Sequence, residues 1–508
     1  MNPNPSHQPP PSSTYQPMLK ESINRFLAEY RRGATDFGDF SSIFSRILHS
    51  TPDPPIQLVW FYSALEFHTN KLGPAADESS RRVSVAKGLF QLLVSCSGCC
   101  GSMKRIGVLA PLVFELCRLV VHREREVEGL VEGLVSYCSI LCGDVVHGDD
   151  GVAILEPDFV DLMPVWMVDR DGSCGVVGDC VKGFFPLASD GIRKGIEMGC
   201  DVGSLAGIVM CEALLLKMCF AFDSGMAREE LEKKLHASAV QTITGFRNSY
   251  FLDTLFRMML EPVLPVVSLL GSENEVLLKE VLYRSVMMMD YSFINPQARV
   301  SLYANSLKDL AINWLFVAEL AVQSAREKGD QGKAISYVSA FCRSCIPIQL
   351  INWVISQSGV GRKITRPNVS TPIALIKWLL VVEEQGLAAF GDETAKHGAK
   401  ANIFTSRTKC LLPVIKHNFN TLDKNLFSNS LHGGTEAGKI DGDIEMHDTA
   451  DTAVSLSSDG RMNTAASTDG TRKRKEGIED DTKAQLKFMR CQFHENSVRE
   501  NSFIFGQQ

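Results

Sequence analysis

The sequence has no excess of positive charge: 52 Lys and Arg face 59 Asp and Glu across 508 residues, a formal net charge of −7. A uniformly basic coat for nucleic acid is thereby excluded, although local basic patches are not. Long unbroken apolar runs are also missing. The two most apolar stretches, 106–121 and 207–222, are interrupted by Glu115 and Arg118 and by Glu212 and Lys217. Each falls short of the roughly 20 residues that span a bilayer, so no transmembrane helix and no membrane partner are expected. Met1 to Pro17 has neither a basic start nor an apolar core, which argues against a secretory signal. Asn2 does not fit myristoylation, and the ending Phe-Gly-Gln-Gln offers no prenylation cysteine.

Catalytic signatures are equally scarce. There is no Gly-x-Gly-x-x-Gly after a strand, no His-Glu-x-x-His and no Gly-x-Ser-x-Gly. Gly433 to Lys439 has the spacing of a phosphate-binding loop, but Ile440 stands where a magnesium-holding hydroxyl is needed. Asp169-Arg-Asp171-Gly172 begins like a calcium loop, yet Cys174 and Cys180 occupy the positions of the turn glycine and the bidentate acid. The expectation is a protein that is not an enzyme and takes no cofactor and no metal. An enzyme with a site built from distant helices would instead need a concave pocket with two or more converging titratable groups.

Fifteen cysteines are scattered through apolar segments, the usage of reduced thiols in cytosol or nucleus. Cys96/Cys99 and Cys342/Cys345 are Cys-x-x-Cys pairs, but they lie too far apart in sequence for a zinc ribbon or finger.

What is present is helical periodicity. Leu19, Ile23, Phe26, Leu27 and Tyr30 form one amphipathic stripe, closed by Arg31, Arg32 and Gly33. Phe40, Ile43, Phe44, Ile47 and Leu48 form the next. Further helices are predicted over 56–72, 81–97, 104–122 and 125–141, and then over 201–221, 227–245, 248–269, 273–288, 296–326, 331–344, 347–357, 371–387 and 402–417. No series of period-two strands with hairpin turns appears. Leu89-x-x-Leu92-Leu93 has the spacing of a coactivator-docking helix, but Val83, Val85 and Ala86 around it favour burial in the core.

The expected fold is therefore all-α. The stretch from Leu264 to Leu282, an apolar helix ending in Leu269-Leu270, a short acidic turn and a second helix whose apolar stripe starts at Val276, resembles one unit of a HEAT or armadillo-type repeat. That resemblance implies an α-solenoid of degenerate helix pairs, an architecture that buries wide apolar faces by stacking. No fixed period is visible, and a compact multi-helix bundle is the alternative.

Five regions follow: a disordered Pro/Ser-rich arm (1–17), an N-terminal helical half (18–142), an acidic, Gly-rich loop or hinge (143–180), a C-terminal helical half (181–425) and a disordered acidic tail (426–508). The hinge segment carries six Gly and nine Asp or Glu against one base, Arg170, around a short helix near 157–168. Within the tail, 433–470 has eight acids, two bases, nine Ser or Thr and no Phe, Tyr or Trp, too little apolar surface to offset ordering. A short helix is expected over 482–496.

Two basic features stand out. Arg472, Lys473, Arg474 and Lys475 form a dense run inside the tail, suited to the acidic groove of a nuclear-import receptor. Residues 362–424 carry ten bases against five acids. Arg362, Lys363, Arg366, Lys396, Lys400, Arg407 and Lys409 make a candidate patch for phosphates or an acidic partner, if they converge.

These features point to a non-catalytic scaffold or adaptor that holds protein partners of a multi-subunit complex in a helical groove. The expected location is the nucleus, with the cytoplasm as a second site, and the complex one of chromatin, transcription or DNA repair. Nucleic acid is a further candidate ligand. The alternative is a cytoplasmic adaptor of trafficking or degradation machinery.

Overall fold

The computed structural model describes residues 15–71, 78–120, 124–143, 151, 153–155, 157–169, 177–222, 225–292, 304–357, 365–367, 369–390 and 395–401. Every described residue belongs to a single unit within residues 1–427. The predicted helices over 402–417 and 482–496 and the tail lie outside the described residues, as does all but the end of the N-terminal arm.

This unit is built from helices because its apolar residues recur at helical spacing. α1 (Gln16–Arg31) buries Leu19, Ile23 and Phe26. It closes as a Schellman motif: Gly33, at φ +85°, donates to the carbonyl of Tyr30, and Ala34 donates to that of Glu29. α2 (Gly38–Ser50) buries Phe40, Phe44 and Leu48, while Ile43, expected on the same face, points outward. α3 (Ile56–Lys71) and α4 (Glu78–Cys96) follow as an adjacent pair.

Proline breaks two predicted helices. The stretch 104–122 divides into α5 (Ser102–Gly107) and α6 (Ala110–Leu119), because Pro111 lacks the N–H that a continuous helix requires and is tolerated only in a first turn. α7 (Arg125–Gly143) completes the N-terminal group. Residues 157–169 fold as a 3-10 turn (Pro157–Leu162) and α8 (Met163–Trp166), with Phe159, Leu162, Met163, Val165 and Trp166 in the core. The Trp60 and Phe159 rings lie 5.1 Å apart, and those of Phe67 and Trp166 5.6 Å apart. α9 (Val177–Phe184) and α10 (Asp190–Glu197) come next, the latter capped by the Ser189 hydroxyl.

α11 (Val202–Ala221) is the central helix. By length and composition it is apolar enough to cross a membrane, but 83% of that window is buried inside the protein. It opens with an Asp201 cap on the Ser204 N–H and an isolated antiparallel bridge between Ile154 and Asp201. α12 (Arg228–Phe246) turns into α13 (Ser249–Leu260) through Arg247, at φ +33°, and the Asn248 cap. α13 stops before Glu261-Pro262, so the predicted helix over 248–269 becomes α13 and a single turn, α14 (Val267–Leu270). α15 (Ser272–Met288) starts its buried stripe at Leu277 and Leu278; Val276 is 46% exposed. α16 (Ala304–Glu327), α17 (Gln331–Arg343), α18 (Ile346–Ser356) and α19 (Pro372–Glu384) complete the order.

The helices neighbour one another in two rows. In one, α7 packs on α12, α12 on α15 and α15 on α17. In the other, α5 and α6 pack on α11, α11 on α13, α13 on α16, and α16 on α18 and α19. Contacts of α7 with α11, α11 with α12, α15 with α16 and α16 with α17 join the rows. α11 crosses α13 at close range: a Cβ on Gly207 would sit 2.5 Å from the Tyr250 carbonyl oxygen, and one on Gly203 would strike the Tyr250 ring. The architecture is all-helical among the described residues, in line with the expected fold class.

Eleven described cysteines are free thiols. Cys180 is an exception to the expectation of reduced cysteines, being disulfide-bonded.

Candidate functional site

A cavity of about 490 Å³ opens between α10, α13, α16 and the helical turn 395–401. Its walls follow from helical spacing. Asp253, Arg257 and Leu260 lie at i, i+4 and i+7 on α13, with Glu261 just beyond; Asp309, Ile312, Asn313 and Phe316 lie at i, i+3, i+4 and i+7 on α16. The other side of α13 supplies Phe251, Leu252, Leu255, Phe256, Met258 and Met259 to the core, which fixes the rotation of that helix. Gly191 and Gly398 line the cavity beside them.

Asp253 is the polar centre of this wall. The Asn313 side-chain amide donates to its Oδ1 at 2.9 Å, and Arg257 Nη1 lies 3.7 Å from its Oδ2. About a third of the Asp253 side-chain surface still faces the cavity, 34% against 49% for Arg257. Burial pushes the Asp253 carboxyl above the usual carboxylate range, while Arg257 and Asn313 pull it back. With Asp253, Glu261 and Asp309 against Arg257, the charged lining is predominantly acidic, and Leu260, Ile312 and Phe316 supply an apolar floor. Such a cavity suits a cation carried on an apolar stem, the chemistry of a lysine or arginine side chain.

The predicted basic patch fares differently. Of its members, Arg362, Lys363, Arg407 and Lys409 lie outside the described residues, as do Arg472, Lys473, Arg474 and Lys475 of the tail. Arg366 is exposed in the link before α19, with its guanidinium 3.4 Å from Asn352 Oδ1 on α18. Lys396 is half-buried and Lys400 exposed on the turn whose Ala395 and Gly398 wall the acidic cavity. Arg366 and the two lysines therefore sit among different neighbours. The cavity's own polar residues, Asp253, Arg257 and Asn313, were not singled out by sequence; their only sequence trace is a charged pair at i, i+4 on an otherwise apolar helix.

Other acids hold the fold. Glu212 accepts the Leu187 N–H at 3.0 Å, and Glu275 accepts the Leu264 N–H at 2.7 Å. Asp169 binds both Tyr30 and Lys71; burial alone would push its carboxyl up, but these two hydrogen bonds bring it below its ordinary value. Leu89 and Leu93 are buried, and Leu92 is half-buried. Cys342 donates its thiol to the Ser370 carbonyl and Cys345 to that of Tyr291. Among the described residues no group of three or more His, Cys, Asp or Glu is placed to hold a metal ion.

No protein-family model matches the chain, and no curated protein matches it.

Proposed function

We propose that this chain is a non-catalytic helical scaffold, an armadillo- or HEAT-like α-solenoid that grips a basic segment of a protein partner in the α10–α13–α16 cavity. The observation that carries the reading is Asp253, recessed in an acidic, partly apolar cavity and engaged on both oxygens by Asn313 and Arg257. A carboxylate held on both oxygens favours presenting charge to a docked cation over exchanging a proton with a substrate. Two rows of helices, each packed on the next, support the solenoid reading, because stacked pairs of this kind leave extended grooves along one side.

The scaffold belongs to a multi-subunit nuclear complex of chromatin, transcription or DNA repair. Support for that location is the run Arg472-Lys-Arg-Lys475, which an import receptor would read.

The test is to purify tagged wild-type and Asp253→Lys chains from their native cells after nuclease treatment and identify the co-purifying proteins. Nuclear subunits that survive nuclease on the wild type and disappear from the variant support the reading. A set of trafficking or degradation components, or a set unchanged by Asp253→Lys, overturns it.

A further inference from the structure

A cavity of about 230 Å³ lies between α1, the first turn of α3, and the 3-10 turn with α8. One wall is the edge of the α1 stripe, with Leu19, Ile23 and Leu27 at i, i+4 and i+8. Phe26, on the adjoining face of α1, is fully buried, so the rotation that fills the core also leaves this edge beside open space. Pro164 of α8 and the ring of Tyr15 complete the apolar lining.

Gln57 is the informative member of the site. It is the second residue of α3 and sits among Ile56, Leu58, Val59, Trp60 and Phe61, all of them buried. Only 7% of its surface is exposed, and that remainder opens into the cavity. Its side-chain amide makes no hydrogen bond with any described residue. A buried amide without a partner forgoes the hydrogen bonds that water gives it in the unfolded chain. An apolar side chain, as at its five neighbours, would avoid that cost. The amide is therefore accounted for by a molecule that enters the cavity and pairs with it.

Size and polarity select the ligand. A glutamine amide presents a donor beside an acceptor, so its complement is an edge that carries an acceptor beside a donor. An apolar cavity of about 150 Å³ takes up benzene, and the larger space here admits two fused rings. An extended peptide would have to bend its backbone down to the cavity floor, and a lone carboxamide would leave the aliphatic wall uncovered. An amino-substituted purine meets both demands. Its amino group and neighbouring ring nitrogen match a glutamine amide, the pairing by which Asn and Gln read adenine. Its faces suit aliphatic and aromatic side chains. Lys20 and Asp161 give the lining one charge of each sign, which favours an uncharged base over an ionised ligand.

We propose that the α1–α3–α8 cavity binds an adenine base. The amino group donates to the Gln57 side-chain oxygen, a ring nitrogen accepts from the Gln57 side-chain nitrogen, and the ring faces rest on Leu19, Ile23 and Pro164. Two sources carry such a base, a free nucleoside and an unpaired adenosine of a nucleic-acid strand. The cavity shares no residue with the Asp253 site, and the inference does not rest on the scaffold reading.

The test titrates the full-length chain with adenosine by isothermal titration calorimetry, and saturable binding at one site is expected. Purine riboside, which lacks the amino group, should bind about tenfold more weakly, the effect of one lost hydrogen bond. Gln57→Leu should weaken adenosine by a similar factor while melting at or above the wild-type temperature, because it replaces an unpartnered amide with an apolar side chain. A purely structural role for Gln57 would instead lower the melting temperature and leave the preference for adenosine over purine riboside intact. An oligoadenylate of about five nucleotides separates the sources. Tighter binding per base than adenosine assigns the site to a single strand, and equal or weaker binding assigns it to a free nucleoside. The proposal is overturned if adenosine does not bind, if purine riboside or uridine binds as tightly, or if Gln57→Leu keeps the wild-type affinity.

Discussion

His68 on α3 hydrogen-bonds to the carbonyl oxygen of Val165 on α8, Nε2 to oxygen at 2.8 Å, across 97 positions of sequence. The acceptor is a carbonyl, so Nε2 carries the proton. Nδ1 is buried with no hydrogen-bond partner, and the ring is packed among Phe26, Tyr30, Phe67 and Trp166. A proton on Nδ1 would place an unsolvated cation in that aromatic pocket. Burial accordingly lowers the His68 pKa from 6.5 to about 4, outweighing the favourable Val165 carbonyl.

The pH consequence has a definite sign. Below pH 6.5 the unfolded chain takes up a proton that folded His68 refuses until about pH 4. The stability associated with neutral His68 is therefore complete above pH 6.5 and is lost as pH falls towards 4, by roughly 3 kcal/mol in all. His68→Gln keeps a donor for Val165 but does not titrate. Urea midpoints measured from pH 7 to pH 4 should fall less steeply for this variant than for the wild type. Parallel curves would mean that His68 is not a source of the acid sensitivity.

Glu212 produces the opposite limb. It is fully buried on α11, accepts the Leu187 N–H on Oε1, and has no partner on Oε2. Burial raises its pKa to about 8, against the pull of the Leu187 and Ala188 amides and of Arg193. The folded chain thus holds a proton that the unfolded chain releases near pH 4.5. Stability from this site is complete below pH 4.5 and is lost as pH rises through 8. Glu212→Gln retains the oxygen that Leu187 needs and should flatten the alkaline fall between pH 6.5 and 8.5. With both groups present, the two slopes oppose one another between about pH 4.5 and 6.5, where stability should change least.

The basic run gives a cellular prediction. Four consecutive cations suit an import receptor because an extended chain can lay alternate long side chains into an acidic groove. Replacing Arg472, Lys473, Arg474 and Lys475 with alanine should shift a fluorescent fusion from nucleus to cytoplasm. Nuclear accumulation that survives the replacement would remove the import assignment. Glutamate at Ser457, Ser458 and Ser467, in the acidic segment before the run, should weaken import in the same direction by adding negative charge.

Helix identity was legible in the sequence wherever an apolar stripe ran without a breaker, as in α1, where Leu19, Ile23 and Phe26 are buried as the spacing implies. Where a proline intervened, the stripe misled. Periodicity continues through Pro111 and Pro262, but the backbone cannot, so two long predicted helices became shorter ones. The short helix expected near 157–168 is present only as a 3-10 turn followed by α8. Phe159 and Trp166 are core residues, but they occupy a 3-10 turn and a four-residue helix too short to display a period. The Asp253 cavity was illegible for a different reason: Asp253 and Asn313 are 60 positions apart, and only the crossing of α13 and α16 brings them to 2.9 Å. Leu89 and Leu93, by contrast, were rightly assigned to the core.

The crossing of α11 and α13 yields the sharpest structural prediction. Gly203 and Gly207 are one turn apart on α11, and both meet Tyr250, the second residue of α13. At Gly203 the obstacle is the tyrosine ring, the far end of a side chain that can rotate away. At Gly207 it is the Tyr250 carbonyl oxygen, 2.5 Å from an added Cβ, with Thr254 Oγ1 at 2.7 Å. That carbonyl also accepts the Thr254 hydroxyl at 2.8 Å and is fixed in the first turn of α13. A methyl group at 207 must therefore push the helices apart, whereas one at 203 need only displace a ring. Gly207→Ala should destabilise the chain by about 2–3 kcal/mol despite alanine's better helix propensity, and Gly203→Ala should cost less. Because α13 carries Asp253, a forced separation should also loosen the Asp253–Asn313 contact, read as faster hydrogen exchange in α13 for Gly207→Ala alone. Equal melting temperatures for the two variants would show that the Gly207 approach does not set the spacing of these helices.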